Sequence, residues 1–426
     1  MTSPEFVIVG AGAVGAATAY ELSRSGARVL VLERSRDLSG CSYGSAGLIS
    51  PSHSETLATP ASIRHGVAWM SRRDSPFSIR PRLGVVPWLA RFAAASLPGR
   101  STAASAVLRA LTQASLELHA ELARSLPTSF ARRGILGVYE SPETFAAARE
   151  RRAARAEPAV RTLSPDDARE LIPGLSDGVA GALYYADEAH CDPAVFVGAL
   201  LAAAQGHGAE VRTGVEVLSI RQRDGRIVGL ETTAGPERCA AAVLTAGVWT
   251  RGLAHDLGLH VPLEGGKGYH VEVRANGSSG DVPAFLEDAR VTATPLDGRV
   301  RFTGALELSG VDFHVDLVRL AAIRRAAQRT VGVPADARAV RIWRGLRPCA
   351  PDGLPIIGRA DAFENLYIAT GHAMLGIALA PVTGEIVGCL ARGESPRFPV
   401  DRLAPARFRR VWPIVHNHTD DERDES

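Results

Sequence analysis

A chain of 426 residues is longer than one hydrophobic core normally sustains, so two domains sharing a large core are expected. Hydrophobic residues make up 46% and charged residues 22%, with no long polar run, which excludes disordered and fibrous classes and leaves ordinary globular enzymes. A formal net charge of +2 with mixed signs is no electrostatic footprint for nucleic acid, and no nucleic-acid partner is expected.

Phe6 to Val9 is a short apolar run, followed by a glycine turn, Ala16 to Leu22 at helical spacing, and Arg28 to Leu32 as a second run. This predicts a strand, helix, strand unit. Glu5, the missing basic lead-in and the break at Gly10 and Gly12 argue against a signal peptide. Residues 51 to 190 read mainly as helices and loops, best at Ala104 to Ser125 and Glu143 to Ala156. Asp192 before Pro193 is a good helix start, because Asp caps free amides and Pro tolerates the first turn; the helix should run to about Gln205. Glu210 to Thr213, Val215 to Arg221 and Ile227 to Thr232, with an Asp224-Gly225 turn, predict a small sheet. Tyr269 to Val273 and Arg299 to Gly304 suit a second, antiparallel sheet. Leu366 to Thr370 is a strand meeting Gly371, and a helical pattern resumes from Gly376 to Arg392. The chain beyond Pro413 is polar and acidic and reads as a solvated, disordered tail over 413–426.

Five cysteines, Cys41, Cys191, Cys239, Cys349 and Cys389, stand at wide spacing with no paired metal or redox motif, so a reduced, cytoplasmic protein is expected. No segment has the length of a membrane span. Asp187, Glu188, His190, Cys191 and Asp192 lack a second ligand cluster, and a turn and a helix cap account for them without a metal. Of 48 basic residues 47 are arginine, a coding bias that singles out Lys267.

The first candidate site is the turn Gly10-Ala11-Gly12-Ala13-Val14-Gly15, between strand and helix. Gly10 permits the tight turn, Gly12 lets backbone amides approach a pyrophosphate, Gly15 lets helix and strand pack, and the helix N-terminus favours negative charge. Glu33 ends the second strand, next to Arg34, and can accept hydrogen bonds from ribose hydroxyls, which disfavours NADP. The motif by itself leaves NAD and FAD open.

Three further runs resemble the D-amino acid oxidase superfamily of flavoenzymes, nearest to the bacterial D-amino acid dehydrogenases and then glycine oxidase. The first is Ser42 to Pro51, including Gly44, Ser45, Ala46, Gly47 and Leu48; the second is Leu244 to Trp249, with Ala246 and Gly247. The third joins Trp343 to Pro348 with Gly371-His372-Ala373-Met374-Leu375-Gly376-Ile377. The resemblance implies an α/β fold in which a Rossmann-type FAD-binding domain (1–50, 190–260 and 345–395) faces a substrate domain of antiparallel sheet and helices (51–189 and 261–344). It implies non-covalent FAD, with the first run against the isoalloxazine, the second beneath the adenosine, Val215 at the adenine, and the amides of Met374 to Ile377 near the pyrimidine oxygen.

The resemblance also implies that Arg347 forks around a substrate carboxylate, a role that suits a planar guanidinium. Tyr269 is a second candidate for that carboxylate, or else a half-buried strand tyrosine. Lys267 is a candidate for tuning acceptor reactivity, or else a structural ion pair. His53 is a candidate for lining the pocket, or else a solvated loop histidine; His372 is expected to orient the glycine turn. The implied reaction is oxidation of a small D-amino or cyclic imino acid by hydride transfer to flavin N5, with oxygen or a quinone as acceptor. A glycine or sarcosine type oxidase, a flavin-dependent tRNA-modifying domain and a non-catalytic flavin module stay open as alternatives, as does the oligomeric state. Arg72, Arg73, Arg80 and Arg82 before Trp88, Leu89 and Phe92 leave room for a peripheral contact with the inner face of a membrane, although such a stretch also packs on its own domain.

Overall fold

The computed structural model describes residues 3–69, 74–155, 160–275, 279–334 and 337–408. Ala156, Arg72, Arg73 and the acidic tail fall outside them.

Phe6–Val9 and Val29–Glu33 are almost wholly buried apolar runs, as strands covered on both faces must be. They lie side by side in a six-stranded sheet ordered Ile356–Arg359, Leu366–Thr370, Ala241–Leu244, Phe6–Val9, Val29–Glu33, Glu210–Thr213. All pairs are parallel except the first. Helix Ala13–Arg24 crosses one face between Pro193–Gly206 and Ala380–Ala391. Small residues permit this crossing: a Cβ on Gly384 would stand 2.7 Å from Ala17 O. The other face carries an antiparallel sheet of Val217–Arg223, Arg226–Thr232 and Gly235–Arg238.

A nine-stranded sheet stands opposite, ordered Ala339–Cys349, Glu264–Arg274, Arg299–Leu308, Val291–Leu296, Ala284–Leu286, Ile135–Tyr139, Gly181–Tyr185 and Val160–Leu163, with Phe77–Ile79 pairing beside Leu306 to Leu308. Helix Leu317–Val331 covers one face. This is the expected α/β pairing, with three corrections. Glu210–Thr213, read with the small sheet, is instead the edge strand of the six-stranded sheet, paired with Val29–Glu33. Four strands of the nine-stranded sheet lie in the region read as helix and loop, because runs of three to five residues, such as Ile135–Tyr139 with both faces buried, are too short to show a period. The last helix starts at Ala380 rather than Gly376, with Pro381 in its first turn.

The apolar stretch considered for a membrane turns inward at Trp88, whose indole donates to Cys349 O at 3.0 Å and whose ring stacks on Phe92. Among the described residues no helix is long and apolar enough to cross a membrane.

Candidate active site

The turn after the first strand is built as a phosphate cradle. Gly10 has φ +107, and a Cβ there would stand 2.9 Å from Thr245 O. A Cβ on Gly15 would stand 1.9 Å from Gly10 O, so helix and strand meet at the closest approach a backbone allows. Ala13 N donates to Ser42 Oγ at 3.0 Å, whereas the amides of Gly12, Val14 and Gly15 meet no acceptor among the described residues. Free amides at a helix N-terminus are what an anion binds. The Glu33 carboxylate is fixed by Ala11 N at 2.9 Å and Ser35 N at 2.8 Å, each oxygen keeping a lone pair for a hydroxyl.

Around this cradle, the Arg34 guanidinium lies 3.5 Å over the Trp249 ring. Ala246 and Gly247 end the adjacent strand, and Thr370 Oγ1 donates to Gly247 O at 3.0 Å. Val215 N is taken by Glu33 O at 2.9 Å, so only its carbonyl is left to meet a base edge. At the far end of the chain, Gly371 turns at φ +79. His372 is buried with Nε2 3.0 Å from Thr383 Oγ1, and burial lowers its pKa to about 3. It is therefore neutral, and it anchors the turn to helix Ala380–Ala391. Ile377 O is 3.1 Å from His119 Nε2, and Leu375 N donates to His372 O, while Met374 projects outward and is 48% exposed. The amide of Gly376 meets no acceptor among the described residues.

The loop Ser42 to Leu48 crosses between the two sheets. A Cβ on Gly44 would strike the Trp343 ring at 2.2 Å, and one on Gly47 would strike Cys191 O at 2.1 Å, so neither position admits a side chain. Leu48 continues into a short pairing with His190. The loop rests on His270, Thr294 and Arg301 of the nine-stranded sheet, and near it Ser45 Oγ, His270 Nε2 and Thr303 Oγ1 are buried with no hydrogen-bond partner among the described residues. Glycine cradle, free amides, small-residue loop and orphaned polar atoms together fit a dinucleotide with a flat ring system.

Strand alternation decides which candidates share that face. Arg347 pairs with Gly266, and a Cβ on the next residue of the same face, Gly268, would stand 2.3 Å from its guanidinium. Arg347 thus lies on the face that carries His270 and the loop. Its Nη1 donates to Ala305 O at 2.6 Å, no carboxylate among the described residues pairs with it, and burial lowers its pKa. A half-buried guanidinium without an anion is unusual, because desolvated charge is costly when unpaired.

Tyr269 and Lys267 are one residue out of phase and point to the opposite face. Tyr269 is fully buried against helix Leu317–Val331, its hydroxyl 3.4 Å from Asp316 N. Lys267 is fully buried, with Nζ 2.6 Å from Asp312 and 2.8 Å from Glu307. Neither shares a site with Arg347: the tyrosine is core, and the lysine an internal ion pair.

His53 is no solvated loop histidine. Nδ1 is 2.8 Å from Ser50 Oγ and 3.6 Å from Glu188, Nε2 is 3.5 Å from Glu287, and the ring packs edge-on against Tyr185. Burial opposes its charge, but the two carboxylates outweigh this and lift the pKa to about 10. His53 is a cation that pins the chain following the loop to the sheet. Sequence reasoning missed His270, Glu272, Thr294 and Arg301; the signal was polar residues at every second position of otherwise apolar strands.

A glycine cradle on a mostly parallel sheet, facing an antiparallel sheet whose Arg347 pairs with no carboxylate among the described residues, is the arrangement of a dinucleotide-dependent enzyme. The chain belongs to the family described as "DAO: FAD dependent oxidoreductase", whose profile matches residues 5–390. It is 31% identical over 420 residues to a D-amino acid dehydrogenase of Paramagnetospirillum magneticum, covering 94% of this chain and 98% of the relative. It is 30% identical to another of Cereibacter sphaeroides, covering 96% and 97%. Among solved structures, glycine oxidase from Geobacillus kaustophilus superposes with a TM-score of 0.77 at 24% identity, covering 96% of this chain and 99% of that one. L-proline dehydrogenase from P. horikoshii superposes with a TM-score of 0.75 at 19% identity, covering 95% and 98%. FAD is accordingly the cofactor, and the chain is an oxidoreductase.

Proposed function

We propose that this chain dehydrogenates a D-amino acid or cyclic imino acid at the α carbon. The observation that carries the reading is Arg347, a half-buried guanidinium with no carboxylate to pair with among the described residues, on the face that holds the small-residue loop. Two near-full-length relatives named as D-amino acid dehydrogenases support the substrate class.

FAD, when bound, supplies the two-electron acceptor for the α hydrogen. The residues placed against it are the 10–15 turn, Glu33, Arg34, the 42–48 loop, the Val215 carbonyl, 246–249 and 371–377. Segments 1–50, 190–260 and the chain after residue 349 carry the cofactor, helix Pro98–Leu122 packs on their core, and the rest of 51–189 with 261–349 faces it. The change falls after Cys349 because Ala339–Cys349 is one continuous strand of the nine-stranded sheet. The chain's own contribution is largely positioning: Arg347 fixes the carboxylate by two parallel hydrogen bonds, which orients the α carbon.

Arg347→Met tests this. Losing a desolvated charge-assisted pair costs about 3–5 kcal/mol, so kcat/KM for the best amino acid should fall by at least about 100-fold while the purified protein stays yellow. Undiminished turnover in that variant would refute the carboxylate role. Anaerobic titration with D-, L- and N-alkyl amino acids fixes the substrate, and peroxide release measured against quinone-dye reduction separates an oxygen-using amine oxidase from a dehydrogenase.

A further inference from the structure

Four successive carbonyls of the small-residue loop are gathered onto the nine-stranded sheet. Arg301 Nη1 donates to Ser45 O at 2.7 Å and to Tyr43 O at 3.3 Å. His270 Nδ1 is 2.9 Å from Gly44 O, and Thr294 Oγ1 donates to Ala46 O at 2.8 Å. In a planar trans peptide the following N–H points away from the carbonyl. Binding the carbonyls of Ser45 and Ala46 to the sheet therefore turns the amides of Ala46 and Gly47 away from it, and neither amide donates to an acceptor among the described residues.

Arg301 is only 1% exposed, and its Nε and Nη2 reach Glu272 Oε1 at 2.9 and 2.7 Å. Arg299 takes the other oxygen at 2.8 Å. A buried ion pair is a poor source of stability compared with an apolar side chain of the same volume. What the guanidinium adds is a rigid fork that reaches two carbonyls two residues apart while its other edge is held.

We propose that Arg301, braced by Glu272, is a positioning residue for the cofactor: it shapes the 43–46 loop so that the amides of Ala46 and Gly47 stand outward as a fixed pair of donors to FAD. The proposal rests on placing the 42–48 loop against FAD, and on no choice of substrate. Donors fixed in advance stabilise negative charge without reorganising, so they favour the reduced cofactor over the oxidised one.

The test compares Arg301→Met and Arg301→Lys with the parent holoenzyme, reading the FAD dissociation constant, the flavin midpoint potential and the melting temperature. Arg301→Met keeps the apolar stem and leaves Glu272 paired with Arg299. It should weaken FAD binding about tenfold or more, equivalent to about 1.4 kcal/mol, and move the midpoint to more negative potential. Arg301→Lys, which can reach one carbonyl, should recover part of both. A folded Arg301→Met protein with the parent's midpoint and FAD affinity within about twofold overturns the proposal; a merely structural arginine would lower the melting temperature alone. Should Arg301→Met not fold, Thr294→Val removes a single bond to Ala46 O. Loosened FAD and a lowered midpoint support the proposal there, and parental values overturn it. Ala46→Leu separates the two premises: if it disturbs FAD while Arg301→Met does not, only the clamp fails; if both leave FAD untouched, the loop placement fails as well.

Discussion

At His53 a positive charge sits between Glu188 and Glu287, and its worth depends on pH in a definite direction. The folded pKa, about 10, lies above the ordinary value of 6.5, so the stabilisation is complete below the latter and disappears as pH rises through the former. Glu188, whose pKa is lowered, contributes above the ordinary carboxylate range and loses that contribution on acidification. Replacing His53 by Gln should cost on the order of 1–3 kcal/mol near neutrality and much less at about pH 10.5. Melting curves of the two proteins across that range check it, and a pH-independent difference would count against the charged arrangement. Tyr269→Phe, by contrast, removes a hydroxyl that meets Asp316 N and Lys267 in a packed core away from Arg347, and should change kcat/KM by less than about threefold. Arg347 could be singled out in the sequence as a candidate because a known motif surrounds it. Tyr269 was misread because a residue two away from Arg347's pairing partner shares its face and a residue three away does not, and register is invisible before strands are paired.

Between the first strand and its helix the backbone approaches itself so closely that Gly15→Ala has nowhere to place a methyl group: the nearest atom, Gly10 O, belongs to backbone. The helix must shift, and overpacking of this kind costs about 1–3 kcal/mol and opens the cradle. The variant should retain well under half of the parent's FAD per chain, measured by the ratio of flavin to protein absorbance; full occupancy would contradict the packing argument. This unit was readable from the sequence because a short apolar run, glycines and a helical repeat each have a distinct period. The helix Pro193–Gly206 was readable too, since Asp192 accepts from Ala194 N as a cap should. Ile135–Tyr139 and Gly181–Tyr185 were not, since a short strand with both faces covered looks like any apolar fragment until its neighbours are known.

The two sheets meet through the small-residue loop, whose carbonyls one sheet holds and whose helix-side contact, Ala13 N to Ser42 Oγ, belongs to the other. Heat should therefore unfold the holoenzyme in a single transition that FAD shifts as a whole. Free FAD at 1,000 times its dissociation constant stabilises by about 4 kcal/mol, a rise of several degrees. Calorimetry that resolves two transitions, only one of them sensitive to FAD, would show that the loop does not couple the sheets. The general pairing of domains could be inferred from length and motifs, but not the docking of one on the other: that depends on buried polar residues such as Arg301, whose loop partners Tyr43 and Ser45 lie 258 and 256 residues away. The interior placement of Lys267 has a practical consequence. Because the only lysine side chain is sealed between Glu307 and Asp312, amine-directed reagents should leave it untouched in the native protein, and its slow acylation, followed by peptide mass, would time how often that part of the sheet breathes open.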